Sequence, residues 1–508
     1  MPIQEPTVAN NALSEAKRRL LAQRLKGAAS PTVQPGRILP RPAGSRTVIS
    51  PDQYNIWLDA TLQPDLPTYN EIVTVRYRGD INPAHLEQSF NAFLARHEGW
   101  RTTFSVDQGE VLQVVHPEFR LKIDLIDLSS LPEAEREAES TRLATQQALV
   151  PFNLEHFPLI RTVLVRMAPD DCRLHLVLAH IIFDGFSLRR TFLPELAAGY
   201  EALQAGNEIA IPAPELQYGD FAAWRHQQTG SPATQGHLDY WRQQLAGELP
   251  LLRLPTDRPR PPAISHRGDI ERFIISRDLT EKLRTLGLPY GASFYMTLLA
   301  SFKALLFRYS GQEDVVIGSV ADGRRRPELD SMMGYILDIF ALRTHPAASM
   351  PFTAYLRQVR QTVLDALAHA EAPFERVVEA VGGKRDLSHQ PIFQTLFIIE
   401  PTPQPNGLWD IAATEITIGA TKVDLYVEAD EHPEQTTVSI DYSTDLFDSD
   451  TIRRMIGHWS TLIEAICATP GCALGDLPLL TADERETMLV RWNDTSVLRS
   501  PLALPVTW

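Results

Sequence analysis

The chain has 508 residues, of which 44% are hydrophobic and 22% charged, so it is globular in composition but too long for one ordinary compact core. Its 63 acidic and 48 basic residues give a formal net charge of −15, which argues against nucleic-acid binding and suits few membrane roles. The three cysteines (Cys172, Cys467 and Cys472) have no CxxC spacing, so they predict neither a disulfide framework nor a zinc site. Because the first residues lack the apolar stretch of a signal peptide, we expect a cytoplasmic protein with reduced thiols.

Residues 1–49 are predicted to form an appendage to the globular part. Leucines recur at helical spacing in residues 13–27 with basic residues between them, Ser14 suits an N-cap, and Gly27 suits a helix stop. A Pro/Gly-rich linker follows. Two interpretations stay open, namely a solvated helix on a tether and a docking element for an upstream protein.

From about residue 50 onward, strand and helix patterns alternate. Strand patterns are seen in residues 71–79, 173–180 and 314–320. Helical patterns are seen in residues 83–100, 134–150, 187–204, 292–309 and 451–468. Residues 226–264 carry Gly, Pro and Gln and predict a connection between lobes. We therefore expect an α/β protein with lobes at 50–225 and 226–475, a site between them, and a linker-like tail at 476–508.

The most informative stretch is residues 174–187, LHLVLAHIIFDGFS. In a strand, the three leucines and His180 share one face, while His175 and Ala179 share the other. We expect His180 at the tip of this strand, with Asp184 in the following turn and Gly185 permitting the bend. An imidazole is well matched to proton transfer near neutral pH, although an isolated HxxxDG pattern is weak.

The stretch AHIIFDG, residues 179–185, resembles the HHxxxDG signature of the condensation domains of nonribosomal peptide synthetases. The second histidine, which is the catalytic one in that family, is present as His180, and the first is replaced by Ala179. Further blocks follow in the family's order: SPDQYNIW (50–57), RHEGWRTTF (96–104), YGDFAAW (218–224), MGYILDIFALR (333–343), HAEAPFE (369–375) and RDLSHQPIFQ (385–394). The resemblance covers about residues 48–495.

The resemblance implies two chloramphenicol-acetyltransferase-like lobes in a V-shaped pseudodimer with a central tunnel. In the family, the motif aspartate pairs with an arginine of a GRxRPEL block, which implies structural roles for Asp184 and Arg324. Ala179 is assigned to the same structural motif. Three residues of two other blocks are expected along the substrate tunnel, and the first two of them also tie the lobes together: Tyr218, Trp224 and Asp338. Asp338 stands where the family usually has asparagine.

The activity implied is amide- or ester-bond formation between a carrier-bound acyl thioester and an amine or hydroxyl acceptor. His180 would assist the attacking group, and the backbone N–H of Gly185 is the candidate oxyanion donor. No metal or directly bound cofactor is implied, since phosphopantetheine belongs to the carrier. The expected partners of a monomeric domain are donor and acceptor carrier proteins, with a small-molecule acceptor as another option.

Alternatives remain open at this point. The loss of the first histidine is compatible with a catalytically silent domain that recruits carriers or tailoring enzymes. The strand argument opposes this, because neighbouring residues 179 and 180 should face opposite sides of the sheet. The sequence leaves three questions open: whether the product is an amide or an ester, which two substrates are joined, and whether the enzyme is free-standing or part of a larger synthetase.

Overall fold

The computed structural model describes residues 37–42, 44–382, 386–400, 407–412, 416–432 and 435–494. The helix expected at residues 13–27 lies outside them, so its docking role stays a prediction. The described part of the N-terminal half contains these elements: β1 (Thr47–Val48), α1 (Pro51–Leu62), β2 (Asn70–Tyr77), α2 (Pro83–Arg96), β3 (Thr102–Asp107), β4 (Glu110–Val115), β5 (Leu125–Asp127), α3 (Glu133–Ala148), β6 (Ile160–Ala168), β7 (Asp171–Ala179), α4 (Gly185–Ser187), α5 (Leu193–Gln204) and α6 (Tyr218–Gln228).

The described part of the C-terminal half contains a second set of elements. They are α7 (Pro232–Gln244), β8 (Gly268–Ser276), α8 (Arg277–Gly287), α9 (Phe294–Ser310), β9 (Val315–Asp322), β10 (Leu337–Thr344), α10 (Phe352–Ala368), α11 (Phe374–Val381), β11 (Thr395–Glu400), β12 (Trp409–Ala412), β13 (Leu425–Glu431), β14 (Gln435–Ser443), α12 (Ser449–Ala468) and α13 (Ala482–Leu489).

The N-terminal lobe is built on a five-stranded sheet of order β12-β2-β7-β6-β5, beside a small sheet of order β1-β4-β3. The alternating sequence of β7 places its three leucines in the core with helices α2 and α5. Phe93, Trp100 and Phe192 are fully buried there, with ring centroids 4.9–5.0 Å apart. Helix α3 covers the other face of this sheet.

The C-terminal lobe has a six-stranded sheet of order β10-β9-β11-β13-β14-β8. Helix α9 lies in its core, and both of its ends follow from the sequence. Ser293 accepts a hydrogen bond from the Met296 backbone N–H at the start, and Gly311 ends the helix with a φ of 67°. Trp459 of α12 packs against α9 and donates to Ser301 Oγ at 2.9 Å.

Two features differ from a simple division of the chain into lobes. The predicted connection at residues 226–264 contains helix α7, whose Leu238 and Trp241 are buried in the C-terminal core. Strand β12 lies in the C-terminal half of the chain but pairs antiparallel with β2 of the N-terminal sheet. Its Trp409 is buried against Tyr77 and Tyr200, with ring centroids at 4.5 and 5.3 Å.

Across the described ranges, no individual helix combines the length and apolar character needed to cross a bilayer. Taken together by length and composition alone, Arg277–Tyr290 and Phe294–Ser310 pass that test, with a 101° bend between them.

Candidate active site

The predicted histidine lies at the end of a strand, as the alternation in the sequence indicated. β7 ends at Ala179, one residue earlier than expected, because His180 begins a short 3₁₀ turn through Ile182. The His180 backbone N–H still donates to the Tyr69 carbonyl at 2.9 Å, which fixes the turn to β2. Asp184 then caps α4, so the chain runs in the order strand, turn and helix.

Residue 179 faces helix α3, away from the cavity between the lobes. Ala179 is paired with Asn70 of β2, and the Asn70 amide donates to the Ala148 and Val150 carbonyls, both at 2.7 Å. His175 has the same parity as Ala179 in β7, and its Nε2 lies 2.9 Å from Ser140 Oγ of α3. His180 lines the large cavity between the lobes and Ala179 does not, although both border a smaller cavity near Tyr69.

Asp184 is completely buried and braces the turn, in the contact that the family resemblance implied. Its Oδ2 accepts from Arg324 Nη1 at 2.9 Å and from the Ile336 N–H at 2.8 Å. Its Oδ1 accepts from the Ser187 N–H at 2.7 Å. Burial raises the pKa of Asp184, while Arg324 and the two backbone donors oppose that rise. Asp184 therefore joins the helix after the motif to the C-terminal lobe.

The cavity between the lobes has a volume of about 760 Å³ and is lined on one side by His180 and β2. Burial and, to a smaller extent, Lys422 lower the pKa of His180 to about 4, and Glu71 opposes both. Lys422 Nζ lies 2.6 Å from Glu71 Oε1, so these two charges stand together at the imidazole. The His180 ring meets Tyr335 edge-on at 5.2 Å, and its buried Nδ1 lacks a hydrogen-bond partner of normal geometry among the described residues. At neutral pH, the His180 imidazole is therefore uncharged.

Gly185 also lines this cavity, at the first residue of α4. A Cβ at this position would lie 3.0 Å from Arg189 Nη1 and 3.3 Å from Glu400 Oε1, which form an ion pair between the lobes. A larger side chain at residue 185 would crowd this ion pair, whereas glycine leaves the backbone accessible from the cavity. The role of its N–H as an oxyanion donor stays a prediction.

The three predicted tunnel residues do not line the large cavity between the lobes, and their place along a substrate tunnel stays a prediction. Asp338 is buried in ion pairs with Arg325 at 2.8 Å and Arg225 at 3.7 Å. Tyr218 Oη is held between Ser50 Oγ at 2.9 Å and the Tyr335 carbonyl at 2.8 Å.

Trp224 packs on Phe221 and under the guanidinium of Arg326. The polar groups of Asp338 and Tyr218 are thus engaged by protein partners. Asp338 borders a small separate cavity, which Glu375 also lines.

The Glu71–Lys422 pair was missed by reasoning from the sequence. Glu71 is a polar position in an alternating strand, and Lys422 lies in a loop, so neither belongs to a motif. Their contact joins residues 351 positions apart. The pairing of β2 with β7 places Glu71 near His180 within the N-terminal sheet, and the packing of the two lobes brings Lys422 to them.

Residues 45–489 match the family model described as "Condensation domain". The chain belongs to the condensation-domain family. The described architecture of this condensation domain agrees with the predicted α/β fold of two lobes, and its solved neighbours are domains of the same two-lobed type.

Among curated relatives, this condensation domain is 37% identical over 482 residues to a component of the linear gramicidin synthase of Brevibacillus parabrevis, covering 94% of this chain and 6% of that protein. It is 35% identical to phosphinothricin tripeptide synthetase PhsC of Streptomyces viridochromogenes, covering 93% of this chain and 44% of that one. The chain thus spans less than half of either relative.

Two solved structures show the same fold. The first condensation domain of the calcium-dependent antibiotic synthetase has a TM-score of 0.74 at 20% identity, covering 86% of this chain and 100% of that chain. The X-domain from teicoplanin biosynthesis has a TM-score of 0.76 at 24% identity, covering 88% and 100%.

Proposed function

We propose that this domain joins a carrier-bound acyl thioester to an amine or hydroxyl acceptor, forming an amide or an ester. The observation that carries the proposal is His180, an uncharged imidazole at a strand tip that lines the cavity between the lobes. A cavity of about 760 Å³ has room for two tethered substrates to meet. Carrier proteins would supply both substrates on phosphopantetheine arms.

The reaction needs only moderate assistance, because a thioester is already activated. The acceptor nitrogen or oxygen attacks the thioester carbonyl, a C–N or C–O bond forms, and the C–S bond breaks to release the carrier thiol. Alignment of the two substrates accounts for roughly 7–11 kcal/mol of the barrier in well-oriented systems. His180 accepts the proton of the attacking group and returns it to the departing thiolate, an effect worth about 10²- to 10⁴-fold.

Glu71 and Lys422 set the electrostatic environment of this step. Burial and Lys422 both keep His180 uncharged before the reaction, and Glu71 favours the imidazolium that forms during it. Gly185 lines the same cavity, and its backbone N–H would donate to the oxygen of the tetrahedral intermediate. Asp184 and Arg324 hold the turn that carries both groups.

The test is single-turnover condensation with a panel of acyl- and aminoacyl-loaded carrier proteins, read by mass spectrometry of the carrier-bound products. His180→Ala should reduce the rate at least about a hundredfold while the melting temperature stays near that of the wild type. His432→Ala is the matched control, since His432 lines the same cavity away from the strand tip. Unchanged turnover in His180→Ala would refute the catalytic assignment.

A second candidate is a recruiting domain without condensation activity. The observation that favours it is the similarity to the teicoplanin X-domain, which has also been solved in complex with OxyB (TM-score 0.77, 23% identity, 89% of this chain and 99% of that one). Catalysis is favoured here because the substituted position, Ala179, faces α3 while His180 is retained. Carrier binding without product from any loaded pair would establish the recruiting role.

A further inference from the structure

The wall of the cavity opposite His180 carries four carboxylates on one face of the C-terminal sheet. Glu400 of β11 stands in register with Asp430 of β13, and Tyr426 of β13 stands in register with Asp441 of β14. Glu428 lies between Tyr426 and Asp430 in the same alternation, so all these side chains share one face. All of them line the cavity. We call Glu400, Glu428, Asp430 and Asp441 the acidic wall.

Cations in the cavity lining are too few for these carboxylates. Among the described residues, the lining holds six carboxylates (Glu71, Asp269, Glu400, Glu428, Asp430 and Asp441) and three basic side chains (Arg189, Arg272 and Lys422). Lys422 is ion-paired with Glu71, and Arg189 is ion-paired with Glu400.

The centre of the wall shows the deficit most clearly. Glu428 accepts from the Tyr426 hydroxyl at 2.9 Å and forms no ion pair with a described residue. Asp441 Oδ1 is shielded from solvent and accepts no hydrogen bond from a described residue. A buried carboxylate oxygen without a partner is costly, so this position is suited to a donor supplied by a ligand.

The electrostatics of the acidic wall favour the binding of a cation. Burial raises the pKa of Glu428 well above its ordinary range, and neighbouring Glu400 and Asp430 raise it further. Burial raises the pKa of Asp441 to about 7, with Glu71 adding to that rise and Lys422 opposing it. A cation placed among these groups would favour their charged forms and release protons.

The chemistry of the lining favours an organic cation. Among the described residues, no group of three or more His, Cys, Asp or Glu side chains has an arrangement that could hold a metal ion. Apolar side chains of the same cavity, such as Val73, Ile270 and Ile274, provide a surface for a hydrocarbon chain. An ammonium or guanidinium group on an aliphatic chain fits both parts of the cavity.

We propose that the acidic wall binds a positively charged side chain of a substrate, so that this domain prefers donors or acceptors of the lysine, ornithine or arginine type. The preference rests on the proposed function only in that the cavity is where substrates meet. Each carboxylate near the cation would add an attraction that a neutral side chain of the same length lacks.

Binding measurements can test this preference without requiring catalysis. Three stable probes are lysyl-, Nε-acetyl-lysyl- and norleucyl-pantetheine amide, which share the α-amine and differ at the end of the side chain. In calorimetry with the wild-type domain, we expect the lysyl probe to bind at least about tenfold more tightly than either neutral probe. Its enthalpy should vary with the buffer, because binding releases protons at pH 6–7. Equal affinity for the three probes would overturn the proposal.

Substitutions in the acidic wall test whether these carboxylates cause the preference for the lysyl probe. Glu428→Gln combined with Asp441→Asn should abolish the preference, and each single variant should reduce it. Asp450→Asn is the control, since it removes one charge at an exposed helix end. A preference that survives the double substitution would overturn the proposal.

His180→Ala should bind the lysyl probe with unchanged preference, so a failure of the catalytic assignment is distinguished from a failure of the acidic wall. Single-turnover assays with lysine on the donor carrier and then on the acceptor carrier assign the charge to one substrate. A preference in either arm supports the proposal, and its absence from both contradicts it.

Discussion

The substitution Asp184→Asn tests how the turn after His180 is held. The carboxylate accepts three hydrogen bonds, two on Oδ2 from Arg324 and Ile336 and one on Oδ1 from Ser187. A carboxamide has one oxygen and therefore cannot satisfy both sides. If the oxygen takes the Oδ2 position, the amide group meets the Ser187 N–H and the cap of α4 is lost.

The expected loss of stability is about 3 kcal/mol. Removing one partner of a buried ion pair costs about 3–5 kcal/mol, because the other charge stays buried. The lower end applies here, since Arg324 keeps Asp322 Oδ1 at 3.1 Å and the Met332 carbonyl at 3.1 Å. Burial also raises the pKa of Asp184, so the neutral amide avoids part of the desolvation penalty. At about 2 °C per kcal/mol for a unit of this size, the melting temperature should fall by about 6 °C.

Thermal and urea unfolding followed by circular dichroism measure this loss, with the exposed Asp170→Asn as the matched control. A double-mutant cycle with Arg324→Gln should show a coupling of at least about 1 kcal/mol, because the two side chains are in direct contact. A melting temperature of Asp184→Asn within about 1 °C of the wild type would refute the reasoning, as would strict additivity in the cycle.

Three further predictions concern positions around β7 and the cavity. Ala179→His should cost about 1–3 kcal/mol of stability by overpacking against α3 while the single-turnover rate changes less than about threefold; a tenfold gain would contradict this. Lys422→Gln should raise the pKa of His180 from about 4 and move the acid limb of the pH–rate profile to higher pH; an unmoved limb would exclude this influence. Burial and Arg173 lower the pKa of His175 to about 4. Between about pH 4 and 6.5, the unfolded chain therefore binds a proton at this side chain and the folded chain does not. Stability should therefore fall as the pH drops from about 6.5 to 4, and His175→Gln should lessen that fall in urea titrations; an equal fall in both proteins would count against it.

The pattern of neighbouring residues in the sequence was sufficient to predict much of the fold around the motif. The alternation in residues 173–180 predicted strand β7 and the opposite orientation of residues 179 and 180, because side chains alternate in any strand. Ser293 and Gly311 bound α9 close to the predicted ends for equally local reasons. The Asp184–Arg324 contact was predicted from the family resemblance, and no local rule indicates it.

What could not be predicted depends on contacts distant in sequence. The acidic wall is spread over three strands, and each carboxylate alone looks like an ordinary polar position of an alternating strand. The ion pairs of Asp338 could not be predicted either, because its partners Arg225 and Arg325 lie on separate segments of the chain. The α7 helix was hidden by Gly, Pro and Gln residues around its apolar positions, where composition favoured a loop.

The pairing of β12 with β2 has a consequence for biosynthesis. Arg78 and Asp410, which form an ion pair beside these strands, lie 332 residues apart in the chain. At about 5–20 residues per second, a ribosome needs roughly 15–65 s to synthesise that interval. During this time the edge of β2 is unpaired and Tyr77 lacks its contact with Trp409. An exposed strand edge invites pairing with other chains. The first lobe therefore emerges incomplete, and truncated products ending before residue 409 should aggregate or be degraded more readily than the full domain.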